Sequence, residues 1–176
     1  MTDPVEACLA RYEDLLRTWA PRLNLVSAAD LPRLRERHID DSLRLAPLLD
    51  ELPPGPCIDV GSGAGLPGIP LAIAAPSRSW RLLEPRRRRA AFLEEAVREL
   101  DLDAEVVALT AEQAASELGP VHALAVARAL TEPPVALALL RPLVAADGIA
   151  ALFLGRGAEV PPGAEEWTQG IAIVRS

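Results

Sequence analysis

Asp59-x-Gly61-x-Gly63-x-Gly65 follows the short apolar run "CIDV" and leads into the prolines and aliphatics of "LPGIPLAI". Glycines at that spacing let backbone N–H groups approach and face a bound molecule, because they lack a Cβ and accept positive φ. A carboxylate at Asp59 can accept hydrogen bonds from an amine-bearing ligand or brace the loop, whereas a pyrophosphate gains nothing from it. Glu84 ends the next apolar run, "WRLLE", the place from which an acid accepts both hydroxyls of an adenosine ribose. Gly63-x-Gly65-x-x-Gly68 also satisfies the dinucleotide fingerprint, and a glycine turn holding nothing, or a solvated acid at a strand end, is the plainer alternative. Taken together, the loop and the strand-terminal acid favour S-adenosylmethionine. The candidate cofactor contacts are Asp59, Gly61, Ser62, Gly63, Gly65, Leu66 and Glu84, with Ala111 and Glu112 of "TAEQAA" at the adenine edge and Arg128 beside them. Glu in a first helical turn is favoured by the macrodipole in any case.

The elements that must position these residues are legible in the apolar pattern. "TDPVEACLARYEDLLRTW" offers Thr2 or Asp3 as N-cap, Pro4 at the first helical position, and Val5, Cys8, Leu9, Tyr12, Leu15, Leu16 and Trp19 as an amphipathic stripe. A second, broken helical region is expected from about Asp30 to Leu49, ended by "LPPGP". From residue 57 onward, apolar runs at 57–60, 80–84, 104–109, 122–127 and 149–154 alternate with candidate helices near 67–75, 86–100, 111–118 and 133–145. Strand alternating with helix predicts right-handed crossovers and a mostly parallel sheet covered on both faces. "AEVPPGAEEWT" reads as loop and "GIAIVR" as one last strand, an antiparallel edge. The expected organisation is a single domain: an α/β, Rossmann-like, doubly wound core over 57–176, preceded by a helical cap over 1–52.

Bulk properties narrow the function classes. Half of the 176 residues are apolar, and the formal charge of −7 argues against generic nucleic-acid binding, leaving room for a local basic patch. All 18 basic residues are arginine. A membrane span needs about 18 or more consecutive apolar residues, and no such run occurs; the acidic N-terminus is unlike a signal peptide. A cytoplasmic, unexported protein with no membrane partner is expected, and the isolated Cys8 and Cys57 make no disulfide framework. No metal-ligand cluster or Ser/His/Asp set is evident.

At this point the residues resemble a known family. "NLVS" (24–27), "RHIDDSL" (37–43), "IDVGSGAGLPGIPLAI" (58–73), "RRRRAAFLEEAVRELDL" (86–102), "ALTAEQ" (108–113) and "AVARAL" (125–130) occur in the order and spacing of the RsmG (GidB) family, bacterial enzymes that methylate N7 of a guanine in 16S ribosomal RNA. The resemblance covers roughly residues 22–157. It implies a class I methyltransferase fold, S-adenosylmethionine as cofactor, and 16S ribosomal RNA as partner, presented within the small ribosomal subunit. Gly61, Gly63 and Gly65 would line the methionine part of the cofactor, Glu84 the ribose, and Ala111 with Glu112 the adenine. Asn24, His38, Asp41 and Ser42 lie in motifs flanking the site, and Arg128 matches an arginine facing the substrate; Arg128, His38, Asp41 and Asn24 are thus the candidate catalytic residues. The chain departs from the family pattern at "LGRG", where a Lys-Gly pair is usual and Arg156 stands in, at Thr110, where an arginine is common, and in a short C-terminal stretch.

Guanine N7 carries a lone pair and no proton, so an in-line attack on a sulfonium methyl needs no general base, and orientation is the enzyme's main task. His38 then reads as a positioned hydrogen-bonding residue rather than a proton carrier. Arg128, after the apolar run 123–127, reads as a phosphate or guanine-edge contact, with an ion pair to a local carboxylate as the alternative. Arg86–Arg89 oppose the helix macrodipole; a phosphate-facing patch and a solvated face paired with Glu94 and Glu95 stay open. Two other functions also stay open, a methyltransferase of a different RNA or small molecule and a non-catalytic cofactor-binding homologue.

Overall fold

The computed structural model describes residues 3–176; Thr2, one of the two expected N-caps, lies outside them. Helix α1 (Pro4–Leu23) starts where Asp3 accepts a hydrogen bond from the Val5 N–H at 3.0 Å. It buries Leu9, Tyr12, Leu16 and Ala20 on one face, and stops at Asn24, whose backbone is left-handed (φ 50). The broken region is a 3-10 turn (Leu31–Arg33), a wide π-helical turn (Arg35–Asp40) and the short helices α2 (Asp41–Leu43) and α3 (Ala46–Leu49).

The sheet contains β1 (Cys57–Val60), β2 (Trp80–Leu83), β3 (Ala104–Val107), β4 (His122–Arg128), β5 (Val144–Phe153), β6 (Glu165–Thr168) and β7 (Ile171–Arg175), in the order β3-β2-β1-β4-β5-β7-β6. The first five strands pair in parallel and β7 and β6 are antiparallel. Helices α4 (Gly68–Ala74), α5 (Arg87–Leu100), α6 (Ala111–Leu118) and α7 (Pro133–Leu140) supply the crossovers. Because successive strand residues point to opposite faces, Ile58 and Val60 of β1 join the cluster with Ala114, Leu137 and Leu140. On the other face Leu82 packs with Ile69, Phe92, Leu93 and the Leu9–Tyr12–Leu16 stripe of α1. The expected Rossmann-like, doubly wound sheet with a helical preface is therefore present. Strand order reverses between β1 and β4, so the carboxyl ends of these strands frame the crevice where such sheets bind ligands.

Two boundaries differ from expectation. Helix α7 ends at Leu140, and the 3-10 turn Arg141–Leu143 delivers the chain to β5 at Val144, several residues before the expected start at 149. The start was hidden by Asp147 (φ 65) and Gly148, which interrupt the apolar run at a register shift against β4. Part of "AEVPPGAEEWT" is strand rather than loop: β6 turns back through Gln169 and Gly170 (φ 76) to pair with β7. The edge of the sheet is thus β6, and β7 lies inside it. A two-residue turn containing Gly between "EEWT" and "IAIV" is the hairpin signal that could have found it.

Candidate cofactor and substrate clefts

The glycine loop is held from below by buried polar groups. Asp59, fully buried, accepts the Gly68 N–H at 3.0 Å through Oδ2, while Oδ1 has no hydrogen-bond partner. Gly68 is glycine for a steric reason: a Cβ there would lie 2.6 Å from Asp59 Oδ2 and 2.7 Å from Leu82 Cδ2. Burial pushes the Asp59 carboxyl up to about 7, against the pull of the Gly68 N–H, with nearby Glu84 adding to the rise. Ser62, also buried, donates its hydroxyl to the Asp59 carbonyl at 2.9 Å. Tyr12 reaches in from α1 and donates its phenol to the Ala64 carbonyl at 2.7 Å. Burial raises the Tyr12 pKa well above the phenol range, so the donor proton stays in place. Asp59 and Ser62 were expected among the cofactor contacts. The structure instead seals the Asp59 side chain beneath the loop as a brace, because α4 packs directly over it.

Glu84 is no solvated strand end. It is 3% exposed, and its two carboxylate oxygens accept the N–H groups of Gly63 (3.1 Å) and Arg86 (2.9 Å). Each oxygen retains further acceptor capacity. The main chain of Gly61 and Ser62 meanwhile donates to the Leu83 carbonyl, both at 2.9 Å, so the end of β2 and the loop form one hydrogen-bonded unit.

Two clefts meet at Gly61. One, of about 360 Å³, is lined by Gly61, Leu83, Pro85, Leu109, Ala111, Glu112, Leu130 and Leu139 among others. Its aliphatic walls and polar rim suit a purine. Thr110 does not leave a gap in place of the family's arginine: it caps α6, with its hydroxyl accepting from Gln113 N–H and Gln113 Oε1 accepting from Thr110 N–H. The second cleft, of about 210 Å³, is lined by Leu25, Val26, His38, Gly61, Ser62, Gly63, Ala64, Leu66, Arg89, Arg128 and Ala129. A Cβ built at Gly63 (φ 55) would stand 3.7 Å from Arg89 Nη1, so a side chain there would take up cleft space.

The expected flanking residues divide between two places. Arg128, at the end of β4, makes an ion pair with Asp41 Oδ2 at 3.1 Å, donates to the Arg37 carbonyl at 3.1 Å, and lies 5.7 Å from the Phe153 ring. The ion pair that was the alternative reading of Arg128 is present, and the residue also lines the cleft. Asp41 stands behind it, also 2.8 Å from Arg44. His38, carried by the wide π-helical turn, lines the same cleft; its buried Nε2 has no hydrogen-bond partner and lies 3.6 Å from Asp30 Oδ2. Burial and the Arg128 charge hold the His38 pKa below the usual imidazole value. Asn24 is not brought to this cleft. It terminates α1 and lines a neighbouring one with Arg22, Leu23 and Arg86–Arg89, where its carbonyl accepts from Arg89 at 3.1 Å. Arg156 is exposed and lines none of these clefts.

Sequence reasoning places Tyr12 in the α1 stripe and gives it no part in the site; nothing in a helical period distinguishes a buried phenol that reaches a loop from one that fills a core. Arg89 reads in the sequence only as part of a basic run, whereas it borders two clefts. Burial raises both thiols, Cys57 to about 11, so neither is ionised at neutral pH. Among the described residues there is no group of three or more metal-ligating side chains and no helix long and apolar enough to cross a membrane.

Comparisons with known proteins give the family and the fold. The family model described as rRNA small subunit methyltransferase G matches residues 6–161. The ribosomal RNA small subunit methyltransferase G of Granulibacter bethesdensis is 45% identical over 94% of this chain and 76% of its own. That of Acidiphilium cryptum is 42% identical over 90% of this chain and 73% of its own. A crystal structure of a methyltransferase from Geobacter sulfurreducens covers 99% of this chain and 88% of its own with a TM-score of 0.63; at 15% identity it speaks for the class I methyltransferase fold alone. The chain belongs to the rRNA small subunit methyltransferase G family.

Proposed function

We propose that the chain transfers a methyl group from S-adenosylmethionine to N7 of a guanine in 16S ribosomal RNA presented by the small ribosomal subunit. The observation that carries this reading is the meeting of a purine-sized aliphatic cleft and a cationic cleft at Gly61, in a chain of this family. Gly61, Gly63 and Gly65 give the backbone approach for the methionine part of the cofactor, and Leu66 closes that side. Glu84, fixed by two main-chain amides, offers its remaining lone pairs to the ribose hydroxyls. Ala111 and Glu112 border the adenine edge. When bound, S-adenosylmethionine supplies an electrophilic sulfonium methyl.

The chain's own residues then orient the acceptor. N7 needs no base, and a neutral His38 in the cleft is compatible with such a reaction. Arg128, held by Asp41 and the Arg37 carbonyl, is the donor for guanine O6 or a flanking phosphate; a bond to O6 leaves the N7 lone pair free. His38 shapes the cleft wall, and its unpartnered Nε2 is a hydrogen-bonding position for the base. Asp41 acts through Arg128, and Asn24 belongs to the RNA side of the site.

The test is transfer of labelled methyl from S-adenosylmethionine to small ribosomal subunits lacking the modification, with naked 16S RNA, transfer RNA and total metabolite extract as alternative acceptors. Label in 16S RNA supports the reading. Label confined to another acceptor assigns a different substrate, and none in any acceptor makes the chain a non-catalytic relative.

A further inference from the structure

The arginines at the start of α5 oppose the helix macrodipole, and Arg86, the N-cap residue, makes no side-chain capping bond. Among the described residues Arg86–Arg89 form no ion pair with a carboxylate, although arginines elsewhere in the chain pair freely. The expected alternative partner Glu95 is engaged with Arg98 at 2.6 Å. Arg86, Arg87 and Arg88 are exposed. With Arg22, Leu23 and Asn24 they line a cleft of about 310 Å³. Arg89 borders this cleft and the His38–Arg128 cleft alike, so the two adjoin. Such a concentration of unpaired cations on a chain of formal charge −7 focuses attraction for an anion at one place.

We propose that this arginine cleft holds the phosphodiester backbone of the RNA strand adjoining the guanine delivered to the His38–Arg128 cleft. The inference rests on the proposed RNA substrate and assigns the surface that grips it. N7 lies in the deep, narrow major groove of A-form RNA, where side chains cannot reach it. The target base must therefore be splayed from its stack, which leaves the neighbouring backbone single-stranded and able to follow a groove. Guanidinium forks bind phosphate oxygens through paired N–H donors. Arg87 and Arg88 contribute charge and donors without touching the glycine loop. Arg89 spans the boundary and sets the spacing between held phosphate and presented base.

The experiment compares the intact protein with Arg87→Ala/Arg88→Ala and Arg87→Lys/Arg88→Lys. The readouts are calorimetric affinity for S-adenosylhomocysteine, KM and kcat for methylation of small ribosomal subunits, and RNA affinity from roughly 50 to 200 mM salt. The double alanine variant should bind S-adenosylhomocysteine like wild type. Its KM for subunits should rise about tenfold with kcat little changed. The slope of log affinity against log salt should become shallower by about 0.7 for each phosphate that the variant no longer neutralises, and the lysine pair should restore most of the slope. Wild-type KM and slope in the alanine variant, with the wild-type enzyme turning over, would overturn this surface while leaving the RNA reading intact. Absence of RNA methylation by the wild type would remove that reading, and the surface with it.

Discussion

The Tyr12 phenol donates to the Ala64 carbonyl at 2.7 Å, tying the first helix of the chain to the glycine loop that lines both clefts. Ala64 separates Gly63 and Gly65, and a Cβ at Gly65 would lie 3.1 Å from the same phenol oxygen. The helical preface therefore sets the position of the loop instead of only covering the sheet. Tyr12→Phe keeps the packing and leaves one buried carbonyl unsatisfied. A stability loss of about 1–3 kcal/mol is expected, with S-adenosylhomocysteine affinity weakened several-fold. Chemical denaturation and calorimetry check both parts.

Asp59 provides a pH signature. Its folded pKa, pushed up to about 7 by burial, lies above the ordinary carboxylate value, so the folded state holds its proton more tightly than the unfolded state. The associated stability is fully present below the unfolded pKa, near 4, and is lost as pH rises towards and through about 7. Asp59→Asn keeps an acceptor for the Gly68 N–H and cannot ionise. Its melting temperature relative to wild type should therefore rise between pH 5 and pH 8, and a constant difference across that range would contradict the assignment.

Gly68→Ala places a methyl group against Asp59 Oδ2 and Leu82 Cδ2, both nearer than van der Waals contact allows. Helix α4 cannot yield without dislodging its own brace. Overpacking of this kind costs about 1–3 kcal/mol, read as a lowered denaturation midpoint.

Glu84→Gln retains shape but sets an NH2 group against one of the two amides it now accepts. Cofactor affinity should fall at least about tenfold, because a buried unsatisfied donor costs about 1–3 kcal/mol and the ribose hydroxyls meet one acceptor fewer. Calorimetry with S-adenosylhomocysteine reads this directly.

Arg128→Lys preserves the charge but not the fork that meets Asp41 and the Arg37 carbonyl together. Methyl transfer should drop about tenfold or more in kcat, with S-adenosylhomocysteine affinity within about twofold of wild type. Equal loss in both would move Arg128 from the acceptor to the cofactor.

Much of this was legible in the sequence because the signals are local. The glycine spacing, the apolar runs of β1 to β4, Pro4 in the first turn of α1 and Ala111 opening α6 each follow from short-range chemistry, Glu84 stands out as the acid ending an apolar run, and a family motif contains Arg128. The remainder depends on contacts between distant segments. Asp59 was readable as an acid beside a loop, but only the packing of α4 decides that its side chain is sealed. Arg128 and Asp41 become partners through the topology that brings β4 beside the π-helical turn. Tyr12 carries the period of a core residue and the atom of a loop anchor, and a helical stripe reports only the first. Strand β6 was missed because the prolines before it make the segment read as loop, although β7 and the Gly170 turn leading into it were legible.

Nucleoside analysis of 16S RNA is the most direct test of the central claim. Small subunits lacking the modification are incubated with the protein and S-adenosylmethionine, and the RNA is digested and resolved by mass spectrometry. The account predicts 7-methylguanosine at a single 16S position, abolished by Gly63→Asp. A methyl group on another atom or base, or none despite measurable cofactor binding, would contradict it.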